Sequence, residues 1–578
     1  MSELRITPLN RTDSQRLARV LADPYRAPMT SWYHPSVLVR SAVLVTLANL
    51  FGRHSDRRLI EALASQPQTI FDYSHEPCDF WIDYVADLGD GWNSTYAVAY
   101  SLAQPVLELR TPEGTVERTH AGRVLVFGGD EVYPYPSREA YELRTEKPYA
   151  AAFAGRRCPD LSAIPGNHDW YDSLIAFSRT FCRPERGFAG CRTQQTRSYF
   201  ALRLPHNWWL LGIDLQLGAD LDEPQVKYFQ NVAAEMDEDA RIVLCVPEPE
   251  WILEPVYPEI PTYESVALRF LEQEILRRPV EVFLTGDLHC YKRHEDDAGV
   301  QHIVCGGGGA FLHPTHYPLS EELPNGLRER ATYPDRRTSR RLAWRNLAFL
   351  WLNPSFFWLA GTMYALSAWF ASANLTKENT TDVRTALHAS IAAAVRDPFD
   401  GLWLLAFVAA FVFFTDTHKR WYRLLGGITH AVAHLGAAFA IGWLSLLATT
   451  RGMDLEFGTV SQLLTAGLMI FVAGGLAGSF VMGLYLLISL QVFGRHFEQA
   501  FSSLRIQDFK QWLRLRIDAQ GGLTIYAIGI ERVPRRWKTV EGGSAVVPDD
   551  PRATPPHLIE VVRLGPRADS GDECRRTE

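Results

Sequence analysis

Hydropathy divides this chain before any motif does. From Trp344 to Phe493 long apolar runs follow one another with few charges, whereas the residues before them have the mixed charge of a globular enzyme. About 20 apolar residues cross a bilayer as a helix, because lipid offers the backbone no hydrogen-bond partner. At 578 residues the chain also exceeds what one hydrophobic core organises. A soluble domain followed by a membrane domain is predicted.

Four segments are expected to span: Leu347 to Phe370, Gly401 to Thr415, Leu424 to Thr449, and Leu463 to Phe493. The second is short for a span; the fourth is long enough to tilt, break or re-enter at Gly474, Gly475 and Gly478. Basic residues precede the first (Arg336, Arg337, Arg340, Arg341, Arg345), lie between the second and third (Lys419, Arg420, Arg423), and follow the fourth (Arg495, Arg505, Lys510). By the positive-inside rule the N-terminal domain and the C-terminal tail then both face the cytoplasm, in a multi-pass protein. An odd number of spans would separate them. His430 and His434 share one face of the third span and are read as neutral, hydrogen-bonded packing residues rather than a haem or metal pair. The earlier apolar run Val37 to Gly52 contains Arg40 and is short for a span, so it reads as a buried or surface-lying helix.

The net charge of −8 gives no nucleic-acid signature. Eight cysteines without a CxxC pair suit a reducing compartment, and Cys182 and Cys191 are read as free thiols. After Phe493, WLRLRID and LTIYAIGIERV flank Gly521 and Gly522 as a hairpin, followed by a Pro- and Asp-rich stretch and one late strand in HLIEVVRL. The expected domains are an N-terminal helical segment (1–75), a soluble catalytic domain (76–330), a transmembrane domain (343–494), and a cytoplasmic C-terminal domain, a small α+β region with a flexible tail (495–578).

Between Asp79 and His316 short apolar runs alternate with helical patterns such as DEPQVKYFQNVAAEM and YESVALRFLEQEILRR. That order places functional groups at the carboxyl ends of strands. The ends carry ligand-type residues: VADLGDGW holds Asp87 and Asp90; GGDEVYP, Asp130 and Tyr133; IPGNHDWYD, Asn167, His168 and Asp169; TGDLHCY, Asp287 and His289. Oxygen donors mixed with imidazole suit manganese, iron, zinc or magnesium.

The series DxG, GDxxY, GNHD and GDxH resembles the calcineurin-like metallophosphoesterase superfamily, in the variant seen in purple acid phosphatases. The resemblance implies an α/β (α+β) sandwich of two mixed sheets flanked by helices, with two divalent or trivalent metal ions about 3.5–4 Å apart at the strand ends. Carried over, Asp87, Asp130 and His289 are ligands of the first metal. Tyr133 joins them if the purple acid phosphatase comparison holds, and otherwise is a core aromatic. Asp130 bridges to the second metal, where Asn167 is the next ligand. His168 sits by the leaving oxygen as a general acid or charge stabiliser, and Asp169 orients its loop.

Two positions depart from the family. Its fourth motif places a histidine just after a strand, whereas RIVLCV runs into PEPEW with Pro247 near that place; Cys245, Glu248 and Glu250 are the candidate substitutes. Its fifth motif reads GHxH, and here Asp287 replaces the first histidine, still a plausible ligand of a hard metal. Downstream, CGGGGAFLHPTH brings His313 and His316 either to the site or to the surface of a tight loop. Asp214 is read as structural. Trp92 and Trp170 either wall the cleft or pack the core.

The function expected is hydrolysis of a phosphate mono- or diester by a membrane-anchored phosphoesterase, with a lipid-derived phosphate as the leading expectation because the spans exceed what tethering requires. The competing expectation is a membrane scaffold or sensor with a degenerate site.

Overall fold

The computed structural model describes residues 11–51, 68–76, 79–111, 114–215, 221–256, 263–318, 320–372, 375–378, 380–415, 420–539 and 546–566. Cys78, Lys419, Cys574 and the end of the expected flexible tail lie outside them. The chain forms two compact units. One comprises Met1–Thr30, Ser41–Ser339 and Arg505–Glu578, the other Ser31–Arg40 and Arg340–Leu504.

Two mixed sheets make the first unit. The seven-stranded sheet runs His557–Leu564, Leu523–Ile530, Lys510–Ile517, Phe80–Val85, Val124–Gly128, Asp160–Ile164, Arg192–Thr193. Its last four strands are mutually parallel and the first three pairings antiparallel. The eight-stranded sheet has parallel strands Trp208–Gly212, Arg241–Cys245, Val280–Thr285 and Gln301–Cys305 at its centre.

Alternation decides how the sheets pack. In Phe80–Val85, the side chains of Phe80, Ile82 and Tyr84 enter one core with Leu210, Val243 and Leu284 of the other sheet. Trp81 and Val85 point the other way, into a core shared with the helical side chains Tyr96, Tyr149 and Phe177. Both faces are therefore buried, each large apolar side chain contributing about 1.5–3 kcal/mol.

The C-terminal segment corrects a sequence expectation. The hairpin Lys510–Ile517 and Leu523–Ile530 forms as its alternation predicts, and HLIEVVRL is the strand His557–Leu564. These strands are not a separate small domain: Lys510–Ile517 pairs antiparallel with Phe80–Val85 and completes the seven-stranded sheet. Both faces of the hairpin are apolar, Leu513 and Leu515 entering one core and Trp512 the other, and a hairpin by itself is marginally stable, so it joins a larger sheet. Arg514 Nε donates to Asp83 Oδ1 at 2.7 Å across that junction, with both side chains buried.

In the second unit Arg420–Gly452 (33 residues) and Val460–Phe493 (34 residues) are long and apolar enough to cross a membrane; Val383–Arg396 and Pro398–Phe414, bent by 97°, make a third only if the pair is one span. The first expected span becomes Pro354–Ser372, which Trp, Tyr and Ser make less apolar and which does not qualify. Among the described residues two helices thus qualify where four spans were expected. The fourth run does not break at its glycines. Val460–Phe493 is continuous, and a Cβ on Gly475 or Gly478 would press on Phe357 or Ala360 of Pro354–Ser372. Small residues here permit close helix packing.

Sheet pairing constrains topology. Strands before and after the helical segment share one sheet, so the chain must leave and re-enter on one side, and any spans are even in number.

Candidate metal centre

Parallel strands present their carboxyl ends at one edge, so the loops after Phe80–Val85, Val124–Gly128 and Asp160–Ile164 emerge together. The first two loops start with acids in the left-handed region: φ is 57° at Asp87 and 54° at Asp130. Asp287, after Val280–Thr285 of the other sheet, has φ 65°. Aspartate tolerates this conformation better than most residues, and here it recurs at three strand ends.

Ligand atoms of Asp87, Asp130 and His289 lie within 4.8 Å of one another, and all three residues are buried. The Tyr133 hydroxyl stands among them, 2.8 Å from Asp87 Oδ1, 2.9 Å from Asp130 Oδ2 and 2.8 Å from His289 Nε2. His289 Nδ1 lies 2.8 Å from the Phe311 carbonyl, which can only accept, so Nδ1 carries the hydrogen and Nε2 is the acceptor in the neutral ring. One phenolic hydrogen therefore faces three acceptors, and Asp87 Oδ2 is buried with no partner. Burial raises the carboxyls of Asp87 and Asp130 well above the usual range, Asp130 further through the charges of Asp87, Asp169 and Asp287, and lowers His289 to about 3. A surplus of buried acceptors suits a hard cation and fits a metal at this position.

The GNHD loop follows Asp160–Ile164. Asp130 Oδ1 accepts the His168 N–H at 2.9 Å, tying the loop to the cluster, while Asn167 Oδ1 is buried without a partner. His168 Nδ1 lies 2.8 Å from the Pro134 carbonyl, and its ring centroid is 4.4 Å from that of Tyr133. Burial lowers this imidazole to about 3. Asp169 faces away from the cluster: it accepts the N–H groups of Gly166 (2.9 Å) and Glu131 (3.3 Å) and the Tyr141 hydroxyl. It positions the loop.

Asp287 is not among the three residues whose ligand atoms converge. Its N–H donates to Asp87 Oδ1 at 3.2 Å, and burial, then the charges of Asp87 and Glu250, raise its carboxyl to about 7. Of the substitutes considered for the missing histidine, Cys245 belongs to the core between the sheets. Glu250 is buried and acts electrostatically on Asp287.

The glycine-rich loop is a packing device. A Cβ on Gly306 would fall on Asp87 Oδ2, and one on Gly307 on the Gln511 side chain. His313 stacks on His289 with centroids 3.9 Å apart, whereas His316 Nδ1 is 2.8 Å from Ser339 Oγ. Asp214 is structural as expected, accepting from Trp170 Nε1 at 2.9 Å and Ser198 Oγ at 2.5 Å. That bond fixes Trp170, and Trp92 stacks on Tyr96 in the helical core.

Three residues escaped the sequence reading. Glu131 and Tyr141 brace Asp169, and GD followed by an acid was the available signal for Glu131. Lys510 was counted among the charges flanking a span; it is fully buried, donates to the Ala310 carbonyl, and is lowered to about 8 by burial. Nothing local distinguishes it. In the helical unit His430 and His434 are buried, with Nε2 atoms 3.1 Å apart and the Tyr364 hydroxyl 3.0 Å from His434 Nδ1. The six described cysteines are free, Cys182 and Cys191 included.

No family model matches this chain, and no curated protein does. Among solved structures it is similar to GAP50, the anchor in the inner membrane complex of Plasmodium (16% identity, TM-score 0.30, covering 41% of this chain and 74% of that one). It is also similar to purple acid phosphatase PPD1 from yellow lupin (Lupinus luteus) seeds (13%, 0.26, 42% and 46%) and to PhoD (11%, 0.29, 46% and 62%). The chain covers less than two thirds of the latter two. At these scores and identities the likenesses assign no activity to it.

Proposed function

We propose that this chain is a metal-dependent hydrolase of phosphate mono- or diesters. The observation that carries the reading is the acceptor surplus at Asp87, Asp130, Tyr133 and His289, beside the unsatisfied Asn167 amide oxygen. Asp87, Asp130, His289 and Tyr133 would hold one cation, and Asp130, Asn167 and Asp287 a second. Bound there, such ions supply positive charge to a phosphoryl group and lower the pKa of water.

The chain's own groups do the rest. Asp130 directs one oxygen toward Tyr133 and the other toward the GNHD loop, which suits a carboxylate shared by two cations. The Pro134 carbonyl orients the His168 ring through Nδ1, leaving Nε2 to act on substrate. Burial keeps that ring neutral; a phosphate dianion beside it favours a second proton, which the ring then delivers to the leaving oxygen. Asp169, braced by Tyr141, holds the loop in register.

The basic flanks of the apolar runs support a cytoplasmic catalytic unit, and the apolar helices support a substrate derived from lipid. Pro247 in the place of the fourth-motif histidine favours a second reading, a metal-binding scaffold without turnover.

Hydrolysis of p-nitrophenyl phosphate and bis(p-nitrophenyl) phosphate by the full chain, stripped and reloaded with manganese, iron, zinc or magnesium, separates the two. Metal-dependent turnover, abolished by Asp130→Asn and lowered about 10²–10⁴-fold by His168→Ala, supports the enzyme. A folded, metal-loaded protein inert with every ion supports the scaffold.

A further inference from the structure

A second charged site lies in the C-terminal part of the first unit. The strand Leu523–Ile530 continues into ERVPRRW, and the turn before His557–Leu564 reads PDDPRAT. Main-chain bonds fasten the two: Asp549 N–H donates to the Arg536 carbonyl and Thr554 N–H to the Arg532 carbonyl, each at 3.0 Å. Beside them is a cavity of about 450 Å³, lined by Asp508, Arg532, Arg535, Arg536, Asp550 and Arg552. It shares no residue with the metal cluster.

The two acids of this cavity are already engaged. Asp550 accepts the main-chain N–H groups of Arg535 at 2.9 Å and Arg552 at 3.1 Å. Asp508 Oδ1 accepts the Val533 N–H at 3.0 Å and Arg535 Nη2 at 2.8 Å. Among the described residues Arg532, Arg536 and Arg552 make no ion pair within 4.0 Å, although all three line the same cavity; the charge of Asp550 reaches Arg536 and Arg552 from beyond that distance. The cavity lining carries more guanidinium groups than carboxylates, so the two acids offset only part of their mutual repulsion and a further anion is favoured there. Planar guanidinium forks match phosphate oxygens two at a time. A solvated basic face would need neither a cavity nor the main-chain bonds that hold its rims together.

We propose that this cavity binds a phosphomonoester-type dianion, either on a soluble molecule or on a lipid headgroup, through Arg532, Arg536 and Arg552. The site is a binding site: among its lining residues none is a nucleophile placed to attack the ligand.

Calorimetric titration of the full chain in detergent, dialysed against chelator so that the metal cluster takes up no phosphate, tests it. The probes are inorganic phosphate and a water-soluble short-chain phosphatidic acid, with short-chain phosphatidylcholine as control. Saturable binding of either probe, weakened at least about tenfold in the triple variant Arg532→Ala, Arg536→Ala, Arg552→Ala, supports the site. Uptake of both probes identifies the phosphate group alone as the determinant; uptake of the lipid only identifies a headgroup site. Because the three side chains are exposed, the variant is expected to keep the native thermal transition. Binding equal in native and variant protein, or no binding of either probe, overturns the proposal, as does arginine-dependent capture of an RNA oligonucleotide without either small probe.

Discussion

The Tyr133 hydroxyl lies 2.8 Å from His289 Nε2, joining residues 156 positions apart at the point where the two sheets bring their strand ends together. That hydroxyl is also within hydrogen-bond distance of both cluster carboxylates. Tyr133→Phe removes it alone. If Tyr133 is a ligand, affinity for the first metal falls at least about 10–100-fold in chelator competition, with an unchanged thermal transition in the metal-free protein. Unchanged affinity would return Tyr133 to the core.

The glycines around the cluster differ in what they touch. A Cβ at Gly166 falls on Asp130 Oδ1 and its backbone, and one at Gly306 on Asp87 Oδ2 and the Leu288 backbone. Gly166→Ala and Gly306→Ala are therefore expected to displace the carboxylates and lose metal. Gly307→Ala meets the Gln511 side chain, which can turn aside, and should retain it. Metal content of the three purified variants checks the ordering.

The Asp83–Arg514 pair is buried on both sides, and Arg514 also donates to Thr119 Oγ1 and the Leu102 carbonyl, each at 3.3 Å. Removing one partner leaves a charge in the core. Arg514→Ala should destabilise the first unit by about 3–5 kcal/mol, read as a lower denaturant midpoint. Ending the chain at Leu504 removes three strands of the seven-stranded sheet, and the soluble unit should then fail to fold; a folded product would contradict the pairing of Lys510–Ile517 with Phe80–Val85.

Even span parity gives a topological prediction. Epitopes at the two chain ends should be protected from protease together, or cleaved together, in sealed vesicles. Pro354–Ser372 and the bent helix pair must then both cross or both stay on one side. Protection of one end alone would refute the shared sheet.

Much of the candidate site was legible because its residues stand at strand ends, where an apolar run stopping at an acid shows in local sequence. Asp87, Asp130, Asn167 and His289 belong to such ends. Asp287 was named on the same ground; the charge of Asp87 acts on its carboxylate, yet it is not one of the three residues whose ligand atoms converge within 4.8 Å. The Gly474, Gly475, Gly478 series was read as a place where a helix breaks. Those glycines instead give room to Tyr364, Phe357 and Ala360, and only the packed partner reveals it.

The sequence by itself determined what is written in local periodicity: the division by hydropathy, the alternation that makes Lys510–Ile517 and Leu523–Ile530 a hairpin, and the residue types at each strand end. Tertiary structure alone decided that the hairpin joins Phe80–Val85, that Lys510 is buried beside the Gly-rich loop rather than flanking a membrane, and that acceptors from three separate loops share one phenolic hydrogen. Such contacts join residues hundreds of positions apart. Their closure entropy grows only slowly with separation, so burial and pairing select the partner, and no short stretch of sequence specifies it.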